Sequence, residues 1–208
     1  AGATLSEVTA EFTRALGVRA ETTILPMTDD PVATLVETAD GLLDFQSYFV
    51  RRRHEDRVRS VRFAGIEQAA LAPAAGQALS DASVIVLCPS NPIVSIGPIL
   101  ALSGVTDRLR AAGVPIVAVS PIIGGQALKG PADRMLAALG HQASALGVAT
   151  IYRHFLSGMV IDEADAHLTG QIEALGMSVL VTDTIMRTNA DRQRLASETL
   201  AFAETTRR

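Results

Sequence analysis

The stretch Ser83-Val84-Ile85-Val86-Leu87-Cys88-Pro89-Ser90-Asn91-Pro92 decides the fold, and Val114-Pro115-Ile116-Val117-Ala118-Val119-Ser120-Pro121 has the same pattern. In both, a largely β-branched apolar run ends in a loop that contains proline and serine. A strand that is apolar on both faces is typical of a parallel sheet covered by helices on each side. We therefore expect an α/β fold with a mostly parallel, Rossmann-like, three-layer sheet and helices on both faces.

The residues downstream continue this alternation of strands and helices. Pro131 and Gly140 mark the start and the stop of one helix, and Asn189 is the expected cap of the last one. The predicted strands are 83–87, 114–119, 148–152, 159–161 and 178–182, and the predicted helices run to Leu109 and over 131–139, 164–175 and 189–205.

The residues upstream form a different pattern, with a helix followed by short strands. Thr4 or Ser6 caps the first helix, Glu7 completes a capping box, and Gly17 ends the helix. Strands at 22–27, 32–38 and 58–63 and an amphipathic helix at 42–50 are then predicted. A small antiparallel hairpin and helical subregion is therefore expected near the N-terminus.

Length and composition fit one globular domain. The chain has 208 residues, of which 48% are hydrophobic and 19% charged, a balance too apolar for a disordered segment. We expect a single α/β domain over 1–208, with the helix-and-hairpin subregion at 1–64 and a strand–loop–helix core at 65–208.

The charge pattern argues against nucleic-acid and membrane partners. The formal net charge is −4 and the pI is about 5.6, whereas nucleic-acid binding needs a basic surface. The arginine run at 51–53 is followed by Glu55 and Asp56 and is interpreted as the solvated end of a helix. No apolar stretch has the roughly 18 residues that a membrane helix needs, so we expect a cytoplasmic protein.

The single cysteine and the histidines indicate neither a nucleophile nor a zinc site. Cys88 follows an apolar run and is interpreted as a small buried hydrophobe. The four histidines have no shared metal-ligand spacing, and no acyl-transfer motif is present. Asp162, Glu163 and Asp165 precede a predicted helix and are interpreted as structural.

The loop after the first buried strand is the first candidate binding site. Ligands of open α/β sheets lie beyond the carboxyl ends of the strands, where backbone N–H groups gather. The candidate substrate-binding residues of this loop are Ser90, Asn91, Pro92, Ser95 and Gly97, with Gly97 permitting close approach to the backbone. The alternative is that Ser90 and Asn91 only cap the next helix.

The loop after the second buried strand is the next candidate. Ser120 begins it, and Gly124 and Gly125 together have the composition of a backbone nest for an anion. Lys129 supplies a point charge suited to phosphate. The loop matches neither a Walker motif nor a dinucleotide fingerprint, and a flexible turn with a surface lysine is the alternative.

The turn Thr28-Asp29-Asp30 is the third candidate. Paired aspartates hold Mg²⁺ in many proteins and, through the ion, a diphosphate. The metal ligand would be Asp29 or Asp30, with Thr28 in contact with substrate. The alternative is an Asx turn, in which the aspartates bond to their own backbone.

Four motifs occur in a recognisable order at 25–32, 45–50, 89–97 and 120–125. They resemble those of the 2-phospho-L-lactate transferase family of coenzyme F420 biosynthesis. The most specific is Ser90-Asn91-Pro92-Ile93-Val94-Ser95-Ile96-Gly97, and the resemblance covers essentially the whole chain. It implies that a 2-phospholactyl, phosphoenolpyruvyl or related group passes from a guanosine diphosphate ester to the deazaflavin Fo, with release of GMP.

The resemblance also implies a Mg²⁺ cofactor, catalytic roles for Asp29 and Asp30, and a homodimer. The alternative is a sugar-nucleotide-binding regulatory protein of the related gluconeogenesis-factor type. Two departures limit the comparison. Family members begin with a Gly-rich strand–loop–helix, so we expect this chain to lack roughly the first third of the family's domain and to be catalytically incomplete alone. In addition, Gln126 stands where many relatives are expected to have Lys.

Overall fold

The computed structural model describes residues 2–206. Its central sheet has four parallel strands in the order β4-β5-β8-β9, which is their order along the chain. The strands are β1 Ala33–Thr38, β2 Gly41–Asp44, β3 Ser60–Ala64, β4 Ile85–Leu87, β5 Ile116–Val119, β6 Ile122–Ile123, β7 Gln126–Ala127, β8 Gly158–Asp162 and β9 Ser178–Thr182.

Helices cover both faces of this sheet, as the sequence predicts. The helices are α1 Leu5–Ala15, α2 Pro73–Asp81, α3 Ile96–Ala101, α4 Val105–Ala111, α5 Ala132–Ala138, α6 Ala145–Tyr152, α7 Thr169–Glu173 and α8 Asn189–Thr205. Alternate residues of β5 point to opposite faces. Ile116 and Ala118 belong to the larger core with α4, α6 and α7, and Val117 packs toward Leu195 and Ala203 of α8.

The N-terminal subregion contains a separate antiparallel sheet in the order β2-β1-β3. The first helix has the predicted capping box: Glu7 N–H donates to Thr4 Oγ1, and Thr4 N–H donates to the Glu7 carboxylate. The helix predicted at 42–50 is wrong in its first part, because those residues pair with β1 as β2. A helical segment follows from residue 45 and is π-helical over Ser47–Arg51.

Two predicted strands are wrong. Residues 148–152 lie in α6, which Ser144 caps by accepting from Gly147 N–H at 3.1 Å. A short apolar run has the same appearance in a buried helix and in a buried strand. Residues 22–27 form no strand. The Ala72 N–H donates to the Met27 carbonyl, but this bond is not part of a ladder of hydrogen bonds between strands.

Several boundaries also differ from the predictions. The helix expected to run to Leu109 is divided into α3 and α4 at Gly104, whose φ of +78° interrupts the helix. The helix predicted at 164–175 is a 3-10 segment, Glu163–Leu168, followed by α7, and α2 was not predicted. Thr188, rather than Asn189, caps α8.

Cys88 is exposed, so its interpretation as a buried residue is wrong. No helix within residues 2–206 is both long enough and apolar enough to cross a membrane.

Candidate functional site

A cleft of about 640 Å³ lies at the carboxyl ends of β4, β5 and β9. Three loops form its walls, because parallel strands end at the same edge of a sheet. Five of the residues proposed from the sequence line this one cleft: Ser90, Asn91, Ser95, Ser120 and Lys129.

The β4 loop is shaped by Asn91. Its Oδ1 accepts from the N–H groups of Ile93 and Val94 at 2.9 and 3.4 Å, so this oxygen is used within the loop. The Ser90 and Ser95 side chains also line the cleft, and neither hydroxyl has a hydrogen-bond partner within residues 2–206. These two hydroxyls are therefore available to a ligand, whereas Asn91 holds the loop in shape.

The β5 loop contains the short hairpin of β6 and β7, with Gly124 and Gly125 as its turn. Both have positive φ, +57° and +81°, which a two-residue hairpin turn requires and glycine adopts readily. The Gly124 N–H donates to both carboxylate oxygens of Asp165, at 3.2 and 3.1 Å. The anion that this glycine contacts is therefore a buried side chain of the protein itself.

Ser120 makes its hydrogen bonds within its own loop. Its hydroxyl donates to the Ile122 carbonyl at 2.8 Å and accepts from the Ile122 N–H at 3.1 Å. Ser120 is buried, so its main contribution is to fix the turn that leads from β5 to the hairpin.

The cleft is cationic. Lys129 from the β5 loop and Arg192 from the first turns of α8 line it, and both are exposed. Lys129 forms no ion pair within residues 2–206, and no Asp or Glu is among the lining residues. Two cations in a lining that contains no carboxylate favour an anionic ligand, such as a phosphate ester.

Thr28, Asp29 and Asp30 are not among the lining residues of this cleft. Asp29 accepts from the N–H and the hydroxyl of Ser6 at 2.6 and 3.0 Å, in the first turn of α1. Asp30 accepts from the Ala70 N–H at 2.8 Å, and its own N–H donates to Thr28 Oγ1.

These hydrogen bonds bear on the predicted magnesium site. Each carboxylate links the turn to a distant segment of the chain, and within residues 2–206 neither forms the Asx turn that was the structural alternative. Within residues 2–206, no group of three or more His, Cys, Asp or Glu side chains is placed to hold a metal ion. Mg²⁺ is commonly held by one or two carboxylates together with substrate phosphates, so both the metal site and the catalytic role of Asp29 and Asp30 stay predictions.

Pro92 and Gly97 lie just outside the cleft lining. A Cβ at Gly97 would lie 3.2 Å from both Phe63 Cζ and the Pro92 carbonyl oxygen. The close contact that requires glycine here is thus with the protein's own β3 and β4 loop. A ligand role for either residue stays a prediction.

The structure adds a wall from the loop between β9 and α8. Thr184, Ile185 and Met186 line the cleft, although the sequence analysis did not propose them. Buried Asp162 at the end of β8 holds this loop, since Asp162 Oδ2 accepts from Thr184 N–H and Oγ1 at 2.9 and 3.0 Å. The sequence did contain a signal for this wall: the loop follows a predicted strand, and the loops after parallel strands lie at the same edge of the sheet.

The same loop is braced by Asp183. Its carboxylate accepts from Ile185 N–H at 3.0 Å and from the Arg187 guanidinium at 2.9 Å. The backbone bond from Ile185, followed by that from Arg187, holds the pKa of Asp183 below its ordinary value. This carboxylate therefore remains ionised at neutral pH and keeps the loop in place.

The remaining wall comes from the N-terminal subregion. Phe45 precedes the π-helical segment and Phe49 lies within it, and both side chains line the cleft. From the sequence, this segment was expected to be an amphipathic helix and one of the family motifs, with no place in the site. Its residues reach the cleft through tertiary packing, for which spacing along the chain offers no signal.

The fold and the cleft define a class of protein. A parallel α/β sheet with cations, hydroxyls and aromatic rings beyond the carboxyl ends of its strands is suited to small phosphate-bearing ligands. A sequence model of the 2-phospho-L-lactate transferase CofD family matches residues 1–201, and the chain belongs to that family.

Individual relatives agree with this assignment. The 2-phospho-L-lactate transferase of Methanosarcina mazei is 40% identical over 195 residues, which are 94% of this chain and 63% of that protein. The enzyme of the same name from Methanothermobacter thermautotrophicus is 43% identical over 183 residues, which are 88% of this chain and 58% of that protein. The chain thus spans about three fifths of the length of these relatives.

Solved structures agree with the fold. A protein from Bacillus halodurans matches with a TM-score of 0.64 at 14% identity, over 94% of this chain and 66% of that one. A second structure of the same protein, described as a UPF0052 family member, matches with a TM-score of 0.58 at 14% identity, over 90% of this chain and 64% of that one. At this identity the likeness shows the α/β fold alone.

Proposed function

We propose that the chain forms the larger part of a transferase that moves a phospho-acid group from a guanosine diphosphate ester to the deazaflavin Fo. The acid is 2-phospholactate, phosphoenolpyruvate or a related compound, and GMP is the second product. The cationic cleft, with Lys129 and Arg192 and no carboxylate in its lining, is the observation that carries the proposal. The names of the relatives supply the reaction class.

The reaction is an in-line displacement at phosphorus. The acceptor hydroxyl oxygen bonds to the phosphorus that carries the acid, and the bond from that phosphorus to the bridging oxygen breaks. GMP leaves with the bridging oxygen, and the hydroxyl proton is released. Such transfers depend on positioning and on neutralising charge rather than on a protein nucleophile, and the described cleft offers hydroxyls and cations for both tasks.

Magnesium dependence and a homodimer remain predictions. A bound Mg²⁺ would neutralise the diphosphate of the donor. Asp29 or Asp30 is the residue predicted to hold it.

GMP release tests the proposal directly. The whole protein is incubated with Fo, Mg²⁺ and the guanylyl donor of each acid, and nucleotides and deazaflavins are separated by chromatography. GMP that accumulates in step with a phosphodiester of Fo is the expected result. No release with any donor, together with tight binding of a sugar nucleotide, would contradict the transferase and favour the regulatory alternative.

Lys129→Ala is expected to raise the donor KM about tenfold while leaving the free energy of unfolding unchanged. Lys129 is exposed and makes no ion pair within residues 2–206, so its removal costs no internal contact. A charge-assisted bond to phosphate is worth roughly 1.5–3 kcal/mol, and part of it is retained by Arg192. KM is measured by GMP release at two salt concentrations, because added salt weakens an exposed ionic contact.

Two variants control this experiment. Arg19→Ala removes a charge of the same sign outside the cleft and should leave KM unchanged. Lys129→Arg keeps the charge and should recover most of the affinity. Equal KM values for Lys129→Ala and Arg19→Ala would show that Lys129 does not contact the donor.

A further inference from the structure

Two phenylalanine rings, half-buried Phe45 and exposed Phe49, form an aromatic surface in the cleft. The ring centroids of Phe45 and Phe49 are 5.5 Å apart with an interplanar angle of 22°, so the rings are stacked. Both line the cleft, and Phe49 remains 37% exposed. The pair is called the aromatic platform below. Aromatic side chains that line a concave site suit a flat ligand, because aromatic rings prefer offset-stacked and edge-to-face contacts.

The aromatic platform has apolar neighbours in the same cleft. Leu128 and Met186 line it and are 58% and 39% exposed. Single exposed apolar side chains are ordinary on a protein surface, whereas several gathered in one concavity mark a binding site. The apolar side chains gathered in the cleft therefore suit a ligand with an apolar face.

Positive charge lies next to the aromatic platform. A Cβ at Gly130 would lie 3.8 Å from Phe49 Cε2, so the backbone of the β5 loop passes close to this ring. Lys129 directly precedes that contact and is exposed. A ligand on the platform would thus have its ring beside Phe49 and an anionic group within reach of Lys129.

His54 supports Phe49 from a strained turn. Their ring centroids are 5.2 Å apart, and Arg53 and His54 have φ values of +50° and +48°. Consecutive non-glycine residues with positive φ are uncommon and cost free energy. The turn is held by the His54 N–H, which donates to the Tyr48 carbonyl at 2.9 Å, and by a hydrogen bond between Arg134 and His54 Nδ1.

We propose that Phe45 and Phe49 form a stacking platform for the fused heteroaromatic ring of a substrate. His54 is a positioning residue that holds the Phe49 ring in place. The inference rests on the proposed function, in which each substrate carries such a ring: the deazaflavin of Fo in the acceptor and guanine in the donor.

Direct binding measurements test the aromatic platform. Dissociation constants of Fo, by its fluorescence, and of GMP, by calorimetry, are measured for the whole protein and for Phe49→Ala. Stacking of a base on an aromatic side chain typically contributes enough for a change of about tenfold or more. We expect that increase for one of the two ligands, and the ligand affected identifies the ring that occupies the platform. Phe49→Tyr should recover most of the affinity.

His54→Gly separates positioning from a merely structural role. Glycine adopts positive φ without strain, so the variant should keep or gain resistance to chemical denaturation. Loss of the ring should nevertheless weaken binding of the same ligand that Phe49→Ala weakens, by several-fold. Phe12→Ala, which removes a 63% exposed ring from α1, is the matched control and should change neither quantity.

The outcomes separate this inference from the proposed function. Wild-type affinity of Phe49→Ala for both Fo and GMP, or no binding of either by the unaltered protein, overturns the aromatic platform. GMP release that persists in the first case leaves the transferase standing. Conversely, a Phe49-dependent ring site in a protein that releases no GMP supports the platform and contradicts the transferase.

Discussion

Gly147→Ala is expected to destabilise the protein by about 4 kcal/mol or more, a large share of the 5–15 kcal/mol typical of a folded domain. A Cβ at Gly147 would lie 1.9 Å from the Gln142 carbonyl oxygen and 2.9 Å from its carbonyl carbon. Both are backbone atoms and cannot turn aside as a side chain can. Because α6 is buried against the central sheet, moving it would disturb the main core. Urea denaturation followed by circular dichroism measures the loss.

Gly170→Ala is the matched control. Gly170 also lies in a helix, α7, but nothing is within 4 Å of its Cβ position. Alanine has the higher helix propensity, so the variant should be unchanged or more stable by up to about 1 kcal/mol. If the two variants had similar unfolding midpoints, the close approach of Gly147 to Gln142 would not be the constraint described here.

Asp162→Ala is expected to lower stability by about 3 kcal/mol and to weaken substrate binding as well. The buried carboxylate accepts from Ala164 N–H at 3.1 Å and from the N–H and hydroxyl of Thr184. Hydrogen bonds to charged groups are worth roughly 1.5–3 kcal/mol each, and the Thr184 groups would be left unpaired in the interior. Thr184 also lines the cleft, so release of its loop alters a wall of the site.

Both consequences are measurable in one set of variants. Unfolding free energies and the Kd of Fo or GMP are compared for Asp162→Ala, Asp162→Asn and Glu163→Ala. The asparagine variant keeps one acceptor oxygen, so its stability and affinity should lie between those of the two alanine variants. Glu163 is exposed, and its substitution should have little effect. If Asp162→Ala lost stability but bound ligand as tightly as Glu163→Ala, the Thr184 loop would be no part of the binding site.

The sheet could be predicted because its strands carry their own signal. A continuous apolar run is typical of a strand covered on both faces; β5 is buried along its whole length, and the edge strand β4 is half-buried at Ile85 and Val86 and buried at Leu87. The same signal was ambiguous at 148–152, where α6 is just as apolar. It was also misleading at 22–27, which has no neighbouring strand within the described residues. A strand depends on its partner, which local sequence does not contain.

The candidate site was predictable to the extent that it depends on strand ends. Ser90, Asn91, Ser95, Ser120 and Lys129 directly follow recognisable strands and lie together in the structure. The sequence could not indicate that Asp165 occupies the Gly124 turn, because 41 residues separate the two. Nor could it indicate that Asp29 and Asp30 are hydrogen-bonded to Ser6 and Ala70.

By itself, the sequence determined the α/β class, the parallel sheet and two of the loops that edge the cleft. Periodicity and loop composition are local properties, and both are visible in a single chain. Only the tertiary structure decided which side chains remain available to a ligand. That depends on which hydrogen bonds they already make: Asn91 is used by its own loop, whereas Ser90, Ser95 and Lys129 are not. The tertiary structure also decided that Phe49 lies in the cleft, because the N-terminal subregion packs against the β5 loop at Gly130.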